Sequence, residues 1–470
     1  MNSVLISLVS VVIILGFMVL IHEFGHYAVA KLLGVRVEQF AIGFGKRLIG
    51  FRKGETDYRI NAIPLGGYVK MSGENPMDRH TEDPREFVNH SRWHRFLIAI
   101  AGPVMNISFA IVVLTGVYMV HYEPAKDESA VVGDVRANSP AAKIGVQHGD
   151  RIIRIGGIEN PTWEQVLTQD ALNANQHLHV VMQRGNTTFE TDVVPQPVTV
   201  NEIGSSGWFP SEPIIIGSLE SSSPAAKAGM QLGDKIVAMD GRPLASLMGL
   251  KNDLQKTKDK PVDFIVERGT ETLQITVQPA LLGDPSARQV AVDNWFISLL
   301  RKIGWARPPA SSAKEEKAYR IGFTGALPHA EVIQLPFREA IAHSLDENRN
   351  NALLVLKLVG KLLQWKVSLK TVSGPIGIAQ MTGAAAQDRS WVRLIELTCL
   401  ISLNLGIFNL LPIPIMDGGV ILLLFIEALM RRDISLPVKE RIYQAAFVFL
   451  ILFAAVVIFN DISKLGSGLP

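Results

Sequence analysis

Cysteine is almost absent from this 470-residue chain: Cys399 stands alone, so neither an intrachain disulfide nor a thiolate-rich metal site can form. Charge is also scarce, with Asp, Glu, Lys and Arg together making 19% of the residues and a formal net charge of only +2. That balance gives no footprint for nucleic-acid binding. The long apolar runs are the converse of this scarcity. Val4 to Ile21 contains no charged residue and is long enough to cross a bilayer. A cleaved signal peptide is the competing reading, but no basic segment precedes the run and no small-residue cleavage site ends it.

Further apolar runs cover Phe96 to Val120, about Leu394 to Leu411 and about Ala445 to Phe459. The basic residues Lys31, Arg36, Lys46, Arg47, Arg52, Lys53 and Arg59 follow the first run, and Arg431, Arg432, Lys439 and Arg441 lie between the last two. The positive-inside rule puts both segments in the cytoplasm. Four spans result, with both termini and the stretch from about Glu123 to Ser390 outside, which in a bacterium is the periplasm.

That outer stretch repeats itself. "NSPAAKIGVQHGDRIIRIGG" from Asn138 matches "SSPAAKAGMQLGDKIVAMDG" from Ser222, each with a short helix signal, a Gly-Asp turn and a β-branched strand. The second copy resembles PDZ domains of bacterial membrane-associated proteases. The resemblance implies a groove between a strand and a helix that takes extended peptides and peptide C-termini by strand addition; two β domains acting only as spacers is the alternative. Beyond them "RPPASSAKEEK" reads as a linker. Phe337 to Trp365 reads as an amphipathic helix, lying along a membrane surface or packed on a PDZ domain.

The chemistry sits at the end of the first run, in "HEFGH". His22 and His26 are one helical turn apart and face the same way, so they can grip one metal ion. In this motif the metal is zinc and Glu23 is the general base. Ionisable groups at such depth are costly and mark function. A catalytic zinc needs a third protein ligand. In "NLGIFNLLPIPIMDGGVILLL", Asp417 is the only acid in a long apolar neighbourhood, where an unpaired aspartate costs roughly 2.5–3.5 kcal/mol. A metal would offset that cost; an ordinary Asp-Gly turn in a cytoplasmic loop is the alternative.

"HEFGH" together with "NLLPIPIMDGG" resembles the site-2 protease family, and the tandem PDZ domains and four spans resemble its bacterial regulator of sigma-E protease branch. "FAIGFGKRL" (Phe40 to Leu48), "INAIPLGGYVKM" (Ile60 to Met71), "AGPVMN" (Ala101 to Asn106) and "SGPIGIA" (Ser373 to Ala379) extend the resemblance over nearly the whole chain. It implies an intramembrane zinc metalloendopeptidase in which His22, His26 and Asp417 bind Zn2+ and Glu23 activates water. Many relatives carry histidine where Val420 follows the paired glycines here; that histidine is not a core ligand.

The resemblance also implies a membrane-dipping β element. "YRINAIPLGGYVKM", with strand-like halves around Pro64, Gly66 and Gly67, is expected to be a hairpin whose edge pairs with an unwound substrate or merely packs on the core. Asn404 and Asn409 in the third span either bond to neighbouring helices or hold the substrate, the latter being what the resemblance suggests for Asn409.

The expected architecture is a multi-pass α-helical membrane protein, with four transmembrane helices and a membrane-associated β-hairpin, plus two mainly β PDZ domains. Residues 1–122 form the N-terminal membrane half, with spans at about 4–32 and 96–121 and a re-entrant β region at about 38–72. PDZ domains follow at 126–205 and 211–282. A linker and surface helix occupy 283–389, and spans at about 391–413 and 441–460 complete a C-terminal half at 390–470. Such a protein cuts single-span membrane proteins, such as an anti-sigma factor or remnant signal peptides, in the bacterial inner membrane after a first periplasmic cut. Its active site lies near the cytoplasmic side. The rival functions are a PDZ-bearing scaffold with a structural metal, which needs no base at Glu23, and a metal transporter, which would call for a chain of acids through the other spans where the sequence shows only one metal-sized cluster.

Overall fold

The computed structural model describes residues 3–74, 83–124, 129–198, 202–244, 246–282, 318–326, 332–387 and 390–466. The linker read at "RPPASSAKEEK" lies outside them. The chain divides into two units. The first comprises Met1–Glu123, Val332–Val359 and Ser373–Asp461, and the second comprises Pro124–Glu331, Gly360–Val372 and Ile462–Pro470.

The first unit is built on helices α1 (Ser3–Leu32), α2 (Arg92–Val120), α9 (Trp391–Asn409) and α11 (Leu436–Gly466). Each contains a stretch long and apolar enough to cross a membrane: Val9–Leu32, Arg92–Val120, Trp391–Asn409 and Leu436–Ser463. Small residues let them approach closely, as expected for helices that water does not drive together. A Cβ on Gly25 of α1 would overlap the Ala101 carbonyl oxygen of α2. A Cβ on Gly406 of α9 would lie 2.9 Å from the Pro103 carbonyl oxygen on another side of α2.

Between α1 and α2 the chain forms β1 (Val37–Lys53) and β2 (Thr56–Met71). These are not the simple hairpin the sequence suggests. Residues 39–42 of β1 pair both with 57–60 and with 67–70 of β2, and residues 47–53 pair with 56–61. The two segments therefore make a four-stranded sheet in the order 47–53, 56–61, 37–42, 67–71, antiparallel in its two outer pairs and parallel between 56–61 and 37–42, where partner numbers rise together. Glycines at positive φ, Gly43 and Gly45 in β1 and Gly66 in β2, let each long segment double back. Residues 67–71 form an outer edge of this sheet.

Helix α7 (Phe337–Leu363) buries Ala340, Ser344 and Asn348, spaced every fourth residue. Its Ser344 hydroxyl donates to the Ile111 carbonyl of α2 at 2.8 Å, and the Tyr118 hydroxyl donates to Glu347. The polar half of this helix thus packs on α2. Helix α8 (Pro375–Gln387) begins on a buried carboxylate: Asp461 of α11 accepts from the backbone N–H of Gly374, Ile376 and Gly377 at 3.0, 3.1 and 3.1 Å. The glycines of "SGPIG" leave room for it, since a Cβ on Gly374 would sit 2.7 Å from an Asp461 oxygen. Helix α10 (Asp417–Met430) is apolar but only 14 residues long, too short to span.

The second unit holds the two repeats. The first runs through β3 (Val132–Val135), α3 (Pro140–Lys143), β4 (Arg151–Ile155), β5 (Ile158–Glu159), α4 (Trp163–Leu172), β6 (Leu178–Arg184), β7 (Thr187–Val193), β8 (Gln196–Val198), β9 (Ile203–Ser205) and β10 (Trp208–Pro210). The second runs through β11 (Ile214–Leu219), α5 (Pro224–Lys227), β12 (Lys235–Met239), β13 (Arg242–Pro243), α6 (Leu247–Thr257), β14 (Val262–Arg268), β15 (Glu271–Val277), β16 (Ala280–Leu282), β17 (Ala318–Arg320) and β18 (Phe323–Ala326).

The repeated letters have repeated jobs. Ser139 and Ser223 cap the short helices α3 and α5. The buried aspartates of the Gly-Asp turns, Asp150 and Asp234, accept from Gln147 and Gln231 N–H and pair with Arg184 and Arg268 at 2.7 Å.

Both repeats are completed by chain beyond the expected boundaries. β10 pairs with β3, and β18 pairs with β11. Gly207 and Gly322 precede these strands at φ +81° and +82°, each in a position where a Cβ would overlap the capping serine. Ile321 is buried in the second repeat's core. Domains ending at 205 and 282 therefore stop short of strands their own sheets require, because sheet neighbours need not be sequence neighbours.

One buried pair differs between copies. In the first, Asp170 of α4 accepts from the Ser206 N–H and hydroxyl at 2.8 and 2.7 Å. Counting from the capping residues Thr162 and Ser246, Asp170 corresponds to Leu254, and Ser206 corresponds to Ile321 across the matching glycines.

Candidate metal centre

His22 and His26 come from adjacent turns of α1, and Asp417 opens α10. The two imidazole Nε2 atoms are 3.2 Å apart. Asp417 Oδ2 lies 3.0 Å from His22 Nε2, and Oδ1 lies 3.5 Å from His26 Nε2. Ligands 2.0–2.1 Å from a tetrahedral ion are about 3.3 Å from each other, so these donors match the edges of such a site. Among the described residues this is the one cluster of three His, Cys, Asp or Glu side chains so arranged.

Neighbouring groups hold the donors in place. His26 Nδ1 lies 2.7 Å from the Ile98 carbonyl oxygen, which can only accept. The proton is therefore on Nδ1 and the Nε2 lone pair is free for a metal. His22 Nδ1 meets the Asn106 side-chain amide at 3.4 Å, while the buried Asn106 Oδ1 has no partner among the described residues. Turning that amide over lets Oδ1 accept from His22 Nδ1–H, which satisfies the orphaned oxygen and frees His22 Nε2 as well. Gly102 makes the space: a Cβ there would overlap His26 Nε2 and lie 2.8 Å from His22 Cε1. Asp417 is placed by the turn before it, where Gly418 and Gly419 press against the carbonyls of Leu410, Leu411 and Ile413 so closely that a Cβ at either would overlap them.

Glu23 lies beside the triangle, and its Oε2 accepts from the Val69 N–H of β2 at 3.0 Å. A cavity of about 560 Å3 joins these groups, lined by His22, Glu23, His26, Val69, Asn409 and Asp417 among others. The structure thus brings together the four residues singled out for chemistry and adds Asn409 at the wall. Asn404 does not line the cavity, since five residues turn a helix by about 140° and only one of the two asparagines can face inward. Nor do Gly66 and Gly67 line it. A Cβ on Gly67 would sit 2.6 Å from the Ala41 carbonyl oxygen, so this glycine lets β2 approach β1, and it is Tyr68 and Val69 that reach the cavity. Asn106 and Gly102 were missed as site residues, although both stand in the quoted "AGPVMN"; a proline and an asparagine inside an apolar span were the available signal.

A family model for peptidase family M50 matches residues 10–453. The regulator of sigma-E protease RseP of Salmonella typhimurium is 32% identical over 490 residues, covering 99% of this chain and 100% of that protein. RseP of Escherichia coli is 32% identical over 497 residues with the same coverage. A Vibrio cholerae protein whose name places it provisionally among zinc metalloproteases is 32% identical over 485 residues, 99% of this chain and 100% of its own length. With the match running through almost every residue, including both halves of the donor triangle, the chain belongs to peptidase family M50, the site-2-type metalloproteases.

Proposed function

We propose that this protein hydrolyses peptide bonds within the membrane segments of single-span proteins, with His22, His26 and Asp417 as zinc ligands and Glu23 as the general base. The observation that carries this reading is the donor triangle on apolar helices, with a carboxylate and an outer sheet edge facing one cavity. When bound, zinc would polarise the scissile carbonyl and acidify the attacking water. Glu23 takes the proton from that water and delivers it to the leaving amine. A helical substrate must unwind first, and its freed backbone groups need partners because lipid offers none. The edge formed by residues 67–71 is suited to that task, and Asn409 supplies an amide at the same wall.

The relatives' names concern sigma-E regulation, so an anti-sigma factor with its outer part already trimmed is the substrate we favour, with remnant signal peptides as a second class. The two repeats are read as periplasmic PDZ domains on an inner-membrane enzyme, the donor triangle lying toward the cytoplasm. They either exclude substrates that still carry bulky outer domains or capture a newly made C-terminus. Deleting both repeats separates these roles, since unregulated cutting of intact substrate indicates a filter and lost cutting of trimmed substrate indicates capture.

The test of the chemistry is cleavage of a trimmed single-span reporter by wild type and by Glu23→Gln, with zinc measured in both. The variant should keep its zinc and lose at least about 100-fold in rate. Several such reporters left intact by zinc-loaded wild type would favour a scaffold with a structural metal.

A further inference from the structure

The outer edge of residues 67–71 has alternating polarity. Ser72 N–H turns inward and donates to the Arg36 carbonyl at 2.9 Å. Val69 and Met71, of the opposite parity, turn their N–H groups outward into the cavity. Neither is free. Val69 N–H donates to Glu23 at 3.0 Å, and Met71 N–H donates to Glu74 Oε2 at 3.1 Å. Two outward N–H groups two residues apart stand about 6.6–6.8 Å from each other along a strand. That is the spacing at which an added strand presents its carbonyls. Carboxylates therefore sit where the carbonyls of an incoming backbone would sit.

Glu23 has its own task, but Glu74 is not part of the donor triangle. It lies just after β2 and lines the same cavity, and its N–H closes a turn onto the Met71 carbonyl at 3.4 Å. A side chain so placed can swing aside without disturbing the sheet, because the bond it gives up is not one of the ladder's own.

We infer that Glu74 is a placeholder at the substrate's strand position: its carboxylate occupies the Met71 N–H until an extended backbone supplies a carbonyl to replace it. This inference rests on the proteolytic reading above. Glu74 is then a positioning residue that competes with substrate for one donor. It raises the threshold for binding and selects chains able to offer a fully extended backbone, without touching the bond being broken. Because the competition is the same in the ground state and the transition state, it acts on KM and leaves kcat alone.

The test measures kcat, KM and bound zinc with a trimmed single-span reporter. Glu74→Ala should lower KM by about two- to tenfold, the range of one hydrogen bond, with kcat held within about twofold. Glu74→Gln keeps an acceptor oxygen and should stay close to wild type. Met71→Pro removes the N–H while sparing the ladder, as proline at an outward position of an edge strand does. It should raise KM, and adding Glu74→Ala to it should change nothing further.

The placeholder is refuted if Glu74→Ala leaves KM unchanged, or if it lowers kcat instead. It is refuted equally if Gln behaves like Ala, which would make charge the operative property, or if Glu74→Ala still lowers KM in the proline background. The Ala and Gln variants decide the matter even if Met71→Pro does not fold. A zinc-loaded wild type that cuts no reporter removes the proteolytic reading and the placeholder with it, whereas a cutting wild type with an indifferent Glu74→Ala removes the placeholder alone.

Discussion

Adding one methyl group at Gly102 should weaken the metal site. Its Cβ would overlap His26 Nε2 and crowd His22 Cε1 at 2.8 Å, so both imidazoles meet the same intruder. Relief by moving α2 away from α1 is opposed by α9, which packs on Pro103 through Gly406. Relief by moving His26 breaks its 2.7 Å bond to Ile98 and pulls Nε2 out of the donor triangle. Overpacking of this kind costs about 1–3 kcal/mol, and loss of ligand support lowers metal affinity by about 10–100-fold, or roughly 1.4–2.8 kcal/mol. Zinc affinity of Gly102→Ala, measured by competition with a chromogenic chelator in detergent, should fall by that factor. Gly116→Ala is the control on the same helix, where a Cβ meets nothing within 4 Å, and its zinc affinity should equal wild type. If Gly102→Ala binds zinc within about twofold of wild type, the tight cradle described here is wrong.

Asn106→Leu should also lose zinc affinity by about 10–100-fold, while Asn106→Asp, which can accept from His22 Nδ1–H, should retain most of it; the same competition assay reads both. Asp461→Ala should loosen the start of α8, seen as faster amide exchange at residues 374–377, since each of three bonds to a charged acceptor contributes up to roughly 1.5–3 kcal/mol.

The repeats should respond to pH in two opposite ways. Burial alone would raise the Asp150 and Asp234 carboxyls, but the Arg184 and Arg268 guanidinia, with the Gln147 and Gln231 N–H groups, outweigh it and hold both below the usual carboxylate range. Their contribution is full above the ordinary carboxylate pKa and is lost as pH falls through the lowered values. Burial pushes Asp170 up to about 6 against the pull of Ser206. Its contribution is full below the ordinary carboxylate pKa and fades as pH rises through about 6, by roughly 3 kcal/mol at most. Amide protection around Ser206, corrected for intrinsic exchange, should therefore increase from neutral pH to about pH 5; a decrease would contradict the assignment.

The donor triangle was legible because each part breaks a local rule. His22 and His26 repeat at the helical period in a run that should carry neither, and Asp417 is an acid in lipid-compatible sequence. Gly102 and Asn106 break milder rules, and their importance comes from what α1 places against them, which no local pattern encodes. Asn404 and Asn409 looked equivalent because composition ignores rotation; the helix turns one of them away from the cavity. The β region was legible as strands and turns but not in its pairing, because the glycines that fold each strand back also allow a plain hairpin. The repeats announced themselves by their capping serines and Gly-Asp turns, whereas β10 and β18 carry neither signal.

The late arrival of β17 and β18 has a practical consequence. The second repeat is closed by residues 318–326, which follow Leu282 only after an interval of other sequence. Cutting the chain within that interval would not release the repeat as a free body, because its two pieces remain interlocked through the sheet and Ile321. A truncation after Leu282 would instead leave β11 with a bare edge and the core with an unfilled socket. Such a fragment is incomplete in the manner of a complementation half, and a synthetic peptide covering residues 318–326 is the natural means of restoring it.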